Sequence, residues 1–172
     1  MKIVALSLLA LSLGSCSSTT SNPPASNSEF VADSANFAKF TTWAQDGAPR
    51  VGPDPTGLLG NDSTVGGPHG CCDTNVTRTT YMNSANPQRN ASHQFPTGTI
   101  FLKTSSMGGQ VQMITAMAKR GGSYNTTGNG WEYFMLSPMN GQIMGRGDTL
   151  MGGMCKGCHA GAGSDKDDVF TR

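Results

Sequence analysis

Gly98-Thr99-Ile100-Phe101-Leu102-Lys103-Thr104 reads as a β-strand entered through a glycine turn. Strand side chains alternate between faces, so Ile100 and Leu102 fall on one side and Phe101 with Lys103 on the other. Three more runs carry the same signature, at 76–82, 111–118 and 131–136. In the first, Val76, Arg78, Thr80 and Met82 alternate against Thr77, Thr79 and Tyr81; the last reads WEYFML. Gly108-Gly109, Gly121-Gly122 and Gly128-Asn129-Gly130 stand between runs as turns. Strands in succession, joined by glycine turns, specify an antiparallel sheet rather than βαβ units. The expected fold class is α+β, mainly β, with a few short helices.

Outward from the strands the chain is less regular. A short helix is expected from Asp33 or Ser34 as cap to Gly47, with Phe37, Phe40 and Trp43/Ala44 near one face as core. Residues 46–70 are rich in Gly and Pro and read as a long loop, of the length that often covers a functional site. Asp148 is a candidate cap for a short helix carrying Leu150, Met151 and Met154. After residue 159 the tail AGAGSDKDDVFTR ends on a small apolar plug, Val169-Phe170. Its Asp165, Asp167 and Asp168 read as a solvated acidic turn, since a calcium loop needs a glycine and a distal Glu that are missing. Arg146-Gly147-Asp148 spells an adhesion tripeptide and is taken as coincidence.

The chemistry concentrates in Cys155-Lys156-Gly157-Cys158-His159. Two cysteines two residues apart, with histidine directly after, form the attachment signature of c-type haem. One turn separates the sulfurs enough for thioethers to two vinyl groups on one porphyrin edge, and the adjacent imidazole then binds iron. A redox dithiol makes no use of His159, and a zinc corner needs a further Cys/His cluster that does not stand out. The expectation is one covalent haem c on Cys155, Cys158 and His159, with His159 the metal ligand.

The first residues fit export. Met1-Lys2 precedes an apolar run from Ile3 to Leu13, too short to span a bilayer and of the kind found in secretory signals. It ends in Leu13-Gly14-Ser15-Cys16, which resembles the lipobox of bacterial lipoproteins. That resemblance implies diacylation of Cys16, and two acyl chains make a stable membrane anchor. Ser17 after the cysteine points, by analogy with lipoprotein sorting, to the outer membrane, facing the periplasm or cell surface. The chain then divides into a signal peptide at 1–15, a disordered Ser/Thr/Pro/Asn tether at 16–28 and one domain at 29–172. Of the 12 Lys and Arg, Lys2 leaves with the signal, so 11 cations face 11 Asp and Glu. This balance argues against nucleic acid as a partner. Cys71-Cys72 remain, adjacent in an oxidising compartment. A disulfide, vicinal or to another chain, ranks above copper binding with His69, and the two disulfide alternatives stay open.

A CxxCH motif behind a strand-rich segment resembles the cytochrome P-460 family and its relative cytochrome c′-beta. The matching stretches are Arg78-Thr79-Thr80-Tyr81, Gly98-Thr99-Ile100-Phe101-Leu102-Lys103, Ala116-Met117-Ala118-Lys119-Arg120, Trp131-Glu132-Tyr133-Phe134, the haem motif, and Asp167-Asp168-Val169-Phe170-Thr171. They cover most of 76–172, while 29–75 matches poorly. The resemblance implies a curved antiparallel sheet, a homodimer, and iron bound by His159 with its opposite face open. It also implies hydroxylamine or nitric oxide chemistry, a porphyrin cross-link at Lys103 and an arginine, Arg78, near the pocket; strand alternation sets Phe101 beside Lys103, so that pair can face the haem. Lys103 reads equally well as a solvent-facing strand lysine, and the alternative for Arg78 is a surface charge or a propionate partner. Two features depart from the family pattern. Residues 105–118 hold no Asp or Glu where the oxidising enzymes carry a distal carboxylate, Thr115 taking its place, and the aromatic before the family arginine is missing. A positioned base contributes roughly two to four orders of magnitude in rate.

Three functions follow as expectations: a redox enzyme on small nitrogen species, a module binding nitric oxide or another diatomic, and an electron-transfer cytochrome with a redox partner protein. The third fills the sixth iron position, for which Met107, Met113, Met144, His69 and His93 are the candidates.

Overall fold

All four expected strands form, and the pairing of each with its neighbours extends two of them by a few residues. The computed structural model describes residues 28–52 and 75–170. Its strands are β1 (Ala44–Gln45), β2 (Arg50–Val51), β3 (Thr77–Met82), β4 (Ile100–Met107), β5 (Gln110–Lys119), β6 (Trp131–Leu136) and β7 (Ile143–Arg146). They build one open antiparallel sheet in the order β1-β3-β4-β5-β6-β7, with β2 also paired to β3. The fold is thus mainly antiparallel β, with two short helices, α1 (Ser34–Phe37) and α2 (Met154–Ala160). The β4–β5 hairpin turns at Gly108-Gly109, whose φ values of +57° and +78° are the left-handed conformation a tight hairpin demands. The signal peptide, Cys16, nearly all of the tether, and His69 with Cys71-Cys72 lie outside the described residues. Among the described residues no helix is long and apolar enough to cross a membrane.

Where the expectations failed, tertiary pairing overrode local pattern. The helix expected from Asp33 to Gly47 is only α1, followed by a 3₁₀ turn at Phe40–Thr42. Asp33 does cap it: its carboxylate accepts from Ala35 N and Asn36 N at 2.9 and 3.1 Å. The chain then becomes extended, because Ala44 and Gln45 gain ladder partners in Met82 and Tyr81. A single turn of isolated helix is too short to compete with that pairing. Likewise Arg50 and Val51, expected in a loop, pair with Arg78 and Thr77.

Register fixes which residues share a face. One face collects Ile100 and Leu102 of β4, Ile114, Ala116 and Ala118 of β5, and Phe134 and Leu136 of β6. Phe37 of α1 and Ala32 close over it, with the Phe37 ring 5.1 Å from that of Phe134. The opposite face collects Met82, Phe101, Met117, Trp131 and Tyr133, packed beneath Phe95, Val169, Leu150 and Cys155. Each face is an apolar set that water would otherwise cover, and its burial is the main driving force for the fold.

The acidic tail is the largest departure from expectation. Asp167 and Asp168 are buried, Asp167 completely. The tail folds back on the sheet, where Lys119 Nζ lies 2.7 and 2.9 Å from the two Asp167 carboxylate oxygens. A buried carboxylate needs such a partner, whereas Asp165 remains exposed. The expected plug is present: Val169 is buried and Phe170 lies 5.7 Å from the His159 ring.

Candidate functional site

Helix α2 carries Cys155, Cys158 and His159. The two cysteines are three residues apart and share one helix face. Both are thiols and both are half-buried. The helix is not started by Asp148, whose carboxylate sits 3.9 Å from Lys156 Nζ. Instead Met151, Gly152 and Gly153 adopt φ of +53°, +67° and +83° in succession, and Gly153 caps α2. This sharp reversal brings the helix onto the face that holds Phe101, Met117 and Tyr133.

His159 is gripped from several sides. Its Nδ1 lies 2.9 Å from the backbone oxygen of Asp168. A carbonyl only accepts, so Nδ1 carries the proton and Nε2 carries the basic lone pair. The ring is tilted 44° against Tyr133 at 5.3 Å and 54° against Phe170 at 5.7 Å. Chemically, the helix offers two thiols that can add to carbon electrophiles, next to one imidazole with its metal-binding nitrogen defined. Among the described residues no three His, Cys, Asp or Glu side chains converge on one point, as a tetrahedral metal would require.

Lys103 shares this face. It pairs directly with Thr80 on one side and Thr115 on the other, two residues along from buried Phe101. Lys103, Thr80, Thr115 and Met135 are all half-buried, in contrast to the closed cluster beside them. Burial pushes the Cys155 thiol above its ordinary pKa, while the positive charge of Lys103 acts in the opposite direction. The strand lysine and Cys155 of α2 are therefore electrostatic neighbours, although 52 positions separate them in sequence. Arg78 is on the same face but buried, and its guanidinium donates to the Gly52 carbonyl. Phe101 stacks edge-on with Phe95 at 5.2 Å, so it is core to this layer.

Tyr133 is the residue that sequence reasoning passed over as a site component. It is 2 % exposed, and its hydroxyl has no hydrogen-bond partner among the described residues. Burial, then the nearby Asp168 carboxylate, raises its pKa strongly. Its position in WEYF, one alternation step from Trp131 on the face of Phe101, was the available signal. Of the alternative iron ligands, Met107 and Met144 are exposed, His93 is exposed in a left-handed turn, and Met113 is half-buried opposite Ser105. Arg146 of the RGD tripeptide is engaged by Glu132 through two contacts of 2.7 and 2.8 Å.

No protein-family model, curated protein or solved structure matches the chain.

Proposed function

We propose that this chain is an exported, lipid-anchored mono-haem c-type cytochrome of the cytochrome P-460 type, acting in redox chemistry on hydroxylamine or nitric oxide at an open iron face. The observation that carries the reading is the set on α2: two thiols on one helix face and an imidazole whose Nδ1 proton is committed to Asp168 O at 2.9 Å. The residues present fit the group. Cys155 and Cys158 would hold the group as thioethers, each thiol giving its sulfur and its hydrogen to the two carbons of one vinyl group. His159 offers Nε2 to iron, and its bond to the Asp168 carbonyl raises the basicity of that nitrogen. Tyr133 brings a buried hydroxyl in want of a polar partner beside the two cysteines. When bound, haem c supplies a redox-active iron whose potential follows its axial ligand and surroundings.

Lys103 is the residue that separates outcomes on the neighbouring strand. In the leading reading Lys103 is the residue that the family resemblance would place against the porphyrin, where its amine would tune the iron's surroundings. One observation favours a second reading, a gas-binding module without turnover. The residue directly across from Lys103 is Thr115, and a threonine hydroxyl is a poor proton acceptor compared with a carboxylate.

Expression with a c-type maturation system gives a covalent haem adduct that survives acid extraction and is lost in Cys155→Ser/Cys158→Ser. The visible spectrum is high-spin and shifts on addition of nitric oxide. Hydroxylamine turnover with a red-shifted reduced haem, abolished in Lys103→Ala, is the result expected for the enzyme. Ligand binding without turnover transfers the assignment to the gas-binding module. A low-spin spectrum indifferent to both ligands, as for an electron-transfer cytochrome, overturns the open-site reading.

A further inference from the structure

Lys119 and Asp167 form a buried ion pair that no part of the proposed chemistry uses directly. Lys119 ends β5 and is 3 % exposed; Asp167 is 0 % exposed. The ammonium reaches both Asp167 oxygens, donates to the Asn129 carbonyl, and lies 5.2 Å over the Trp131 ring. Asp167 is held further by Phe95 N on its carboxylate at 2.7 Å and by Trp131 Nε1 on its own carbonyl at 2.8 Å. Residue 167 is thus pinned from β5, β6 and the loop before β4 at once.

What this anchoring achieves lies one residue on. Asp167 and Asp168 both adopt left-handed backbone, φ +53° and +58°, a conformation that is uncommon and costly outside glycine even though Asp and Asn enter it more readily than other residues. That double reversal turns the Asp168 carbonyl onto His159 Nδ1 at 2.9 Å, after which Val169 enters the core and Phe170 reaches the imidazole. Buried ion pairs are seldom more stabilising than apolar replacements, so stability alone gives little reason to keep one here. An anchor that holds a strained two-residue turn in a single geometry does give a reason.

We propose that the Lys119–Asp167 pair is a positioning device for the axial ligand: it holds the 167–168 turn so that the Asp168 carbonyl fixes the tautomer, orientation and basicity of His159. This inference rests on the reading of His159 as an iron ligand. Lys119 and Asp167 are positioning residues and touch neither iron nor substrate.

The test uses the haem-loaded full chain and reads the iron–histidine stretching band of the ferrous form by resonance Raman. Asp167→Ala lowers the band frequency and lets exogenous imidazole displace His159 about 10- to 100-fold more readily, the range typical when a ligand histidine loses its outer partner. Asp167→Asn keeps the side-chain shape and an acceptor for Phe95 N, folds, and gives a smaller shift in the same direction. Glu132→Gln is the control. It weakens a buried ion pair on the other face, with Arg146, and leaves the band in place while lowering stability. An unmoved band in folded Asp167→Ala or Asp167→Asn overturns the inference and leaves the haem reading standing, as does an equal shift in Glu132→Gln. Absence of covalent haem in the parent chain overturns the haem reading itself, and this inference with it.

Discussion

The two faces of the sheet are made by the same strands in the same alternation, yet the chain covers them differently. On the face of Ile100, Leu102, Ala116 and Phe134, the N-terminal segment supplies Ala32 and Phe37 as a fully buried cover, with Phe30, Phe40, Trp43, Tyr81 and Ile143 partly buried around its edge. The polar rim of that face is also settled: Glu132 accepts from Arg146, lies 3.5 Å from Arg120, and Arg120 pairs with Glu29. On the other face closure is uneven. The part around Phe101, Met117 and Tyr133 is sealed by α2 and the tail, while Lys103, Thr80, Thr115 and Met135 stay half-buried. A face closed by side chains serves stability. The helix bearing Cys155, Cys158 and His159 lies on the second face, beside the partly covered strip.

The comparison breaks first, and with the largest effect, at neighbouring residues of β6. Phe134→Ala empties a site 1 % exposed and lowers unfolding free energy by about 3–5 kcal/mol in urea denaturation. Met135→Ala, pointing to the other face and half-buried, costs less than about 1 kcal/mol but alters the visible spectrum of the haem-loaded chain. Equal costs at the two positions would mean the faces do not differ as argued.

A smaller effect is expected where β7 meets the turn into α2. A methyl group on Gly145 would stand 2.9 Å from Leu150 Cδ1, the tip of a flexible side chain. Gly145→Ala therefore costs about 1 kcal/mol, at the low end for overpacking. Leu150 leads into the attachment helix, so the substitution shifts the haem spectrum more than its stability cost suggests. A spectrum identical to the parent's would separate β7 from the site.

The smallest effect sharpens the account of the tail through pH. Burial, followed by the neighbouring Asp167, raises the Asp168 carboxyl above its ordinary 3.8. The folded state then binds the proton more tightly than the unfolded state does. Stability from this group is present below 3.8 and is lost as pH rises through the folded value. Asp168→Asn removes the buried charge and tolerates the left-handed backbone better, so it raises Tm at pH 7 by a few degrees at most. The difference in Tm between variant and parent shrinks towards zero as both are acidified below 3.8. A variant that melts lower than the parent at pH 7 would contradict this.

How much was legible in the sequence varies with how local the cause is. β3 to β6 were readable because alternation and glycine turns are properties of adjacent residues, and β6 falls at 131–136 as expected. β7 was not, because Ile143-Met144-Gly145-Arg146 has too little β-branched or aromatic character to stand out from a loop. The α1 region misled because Phe37, Phe40 and Trp43 have helical spacing, yet strand pairing at Ala44 captured the chain. At the candidate site, the grouping of Cys155, Cys158 and His159 was legible because it is a spacing within five adjacent residues. The approach of Lys103 to Cys155 followed only in part: alternation gave its face, and only the fold gave its neighbour.

By itself the sequence determined an antiparallel sheet and set two thiols and an imidazole within five residues, because strand period and short spacing act over a few residues. The tertiary structure alone decided that the acidic tail is buried rather than solvated. Lys119 and Asp167 are 48 positions apart, and no local pattern announces a partner at that distance. Burial of one charge is tolerable only when the fold delivers the other, so the turn that holds His159 exists only in the folded chain.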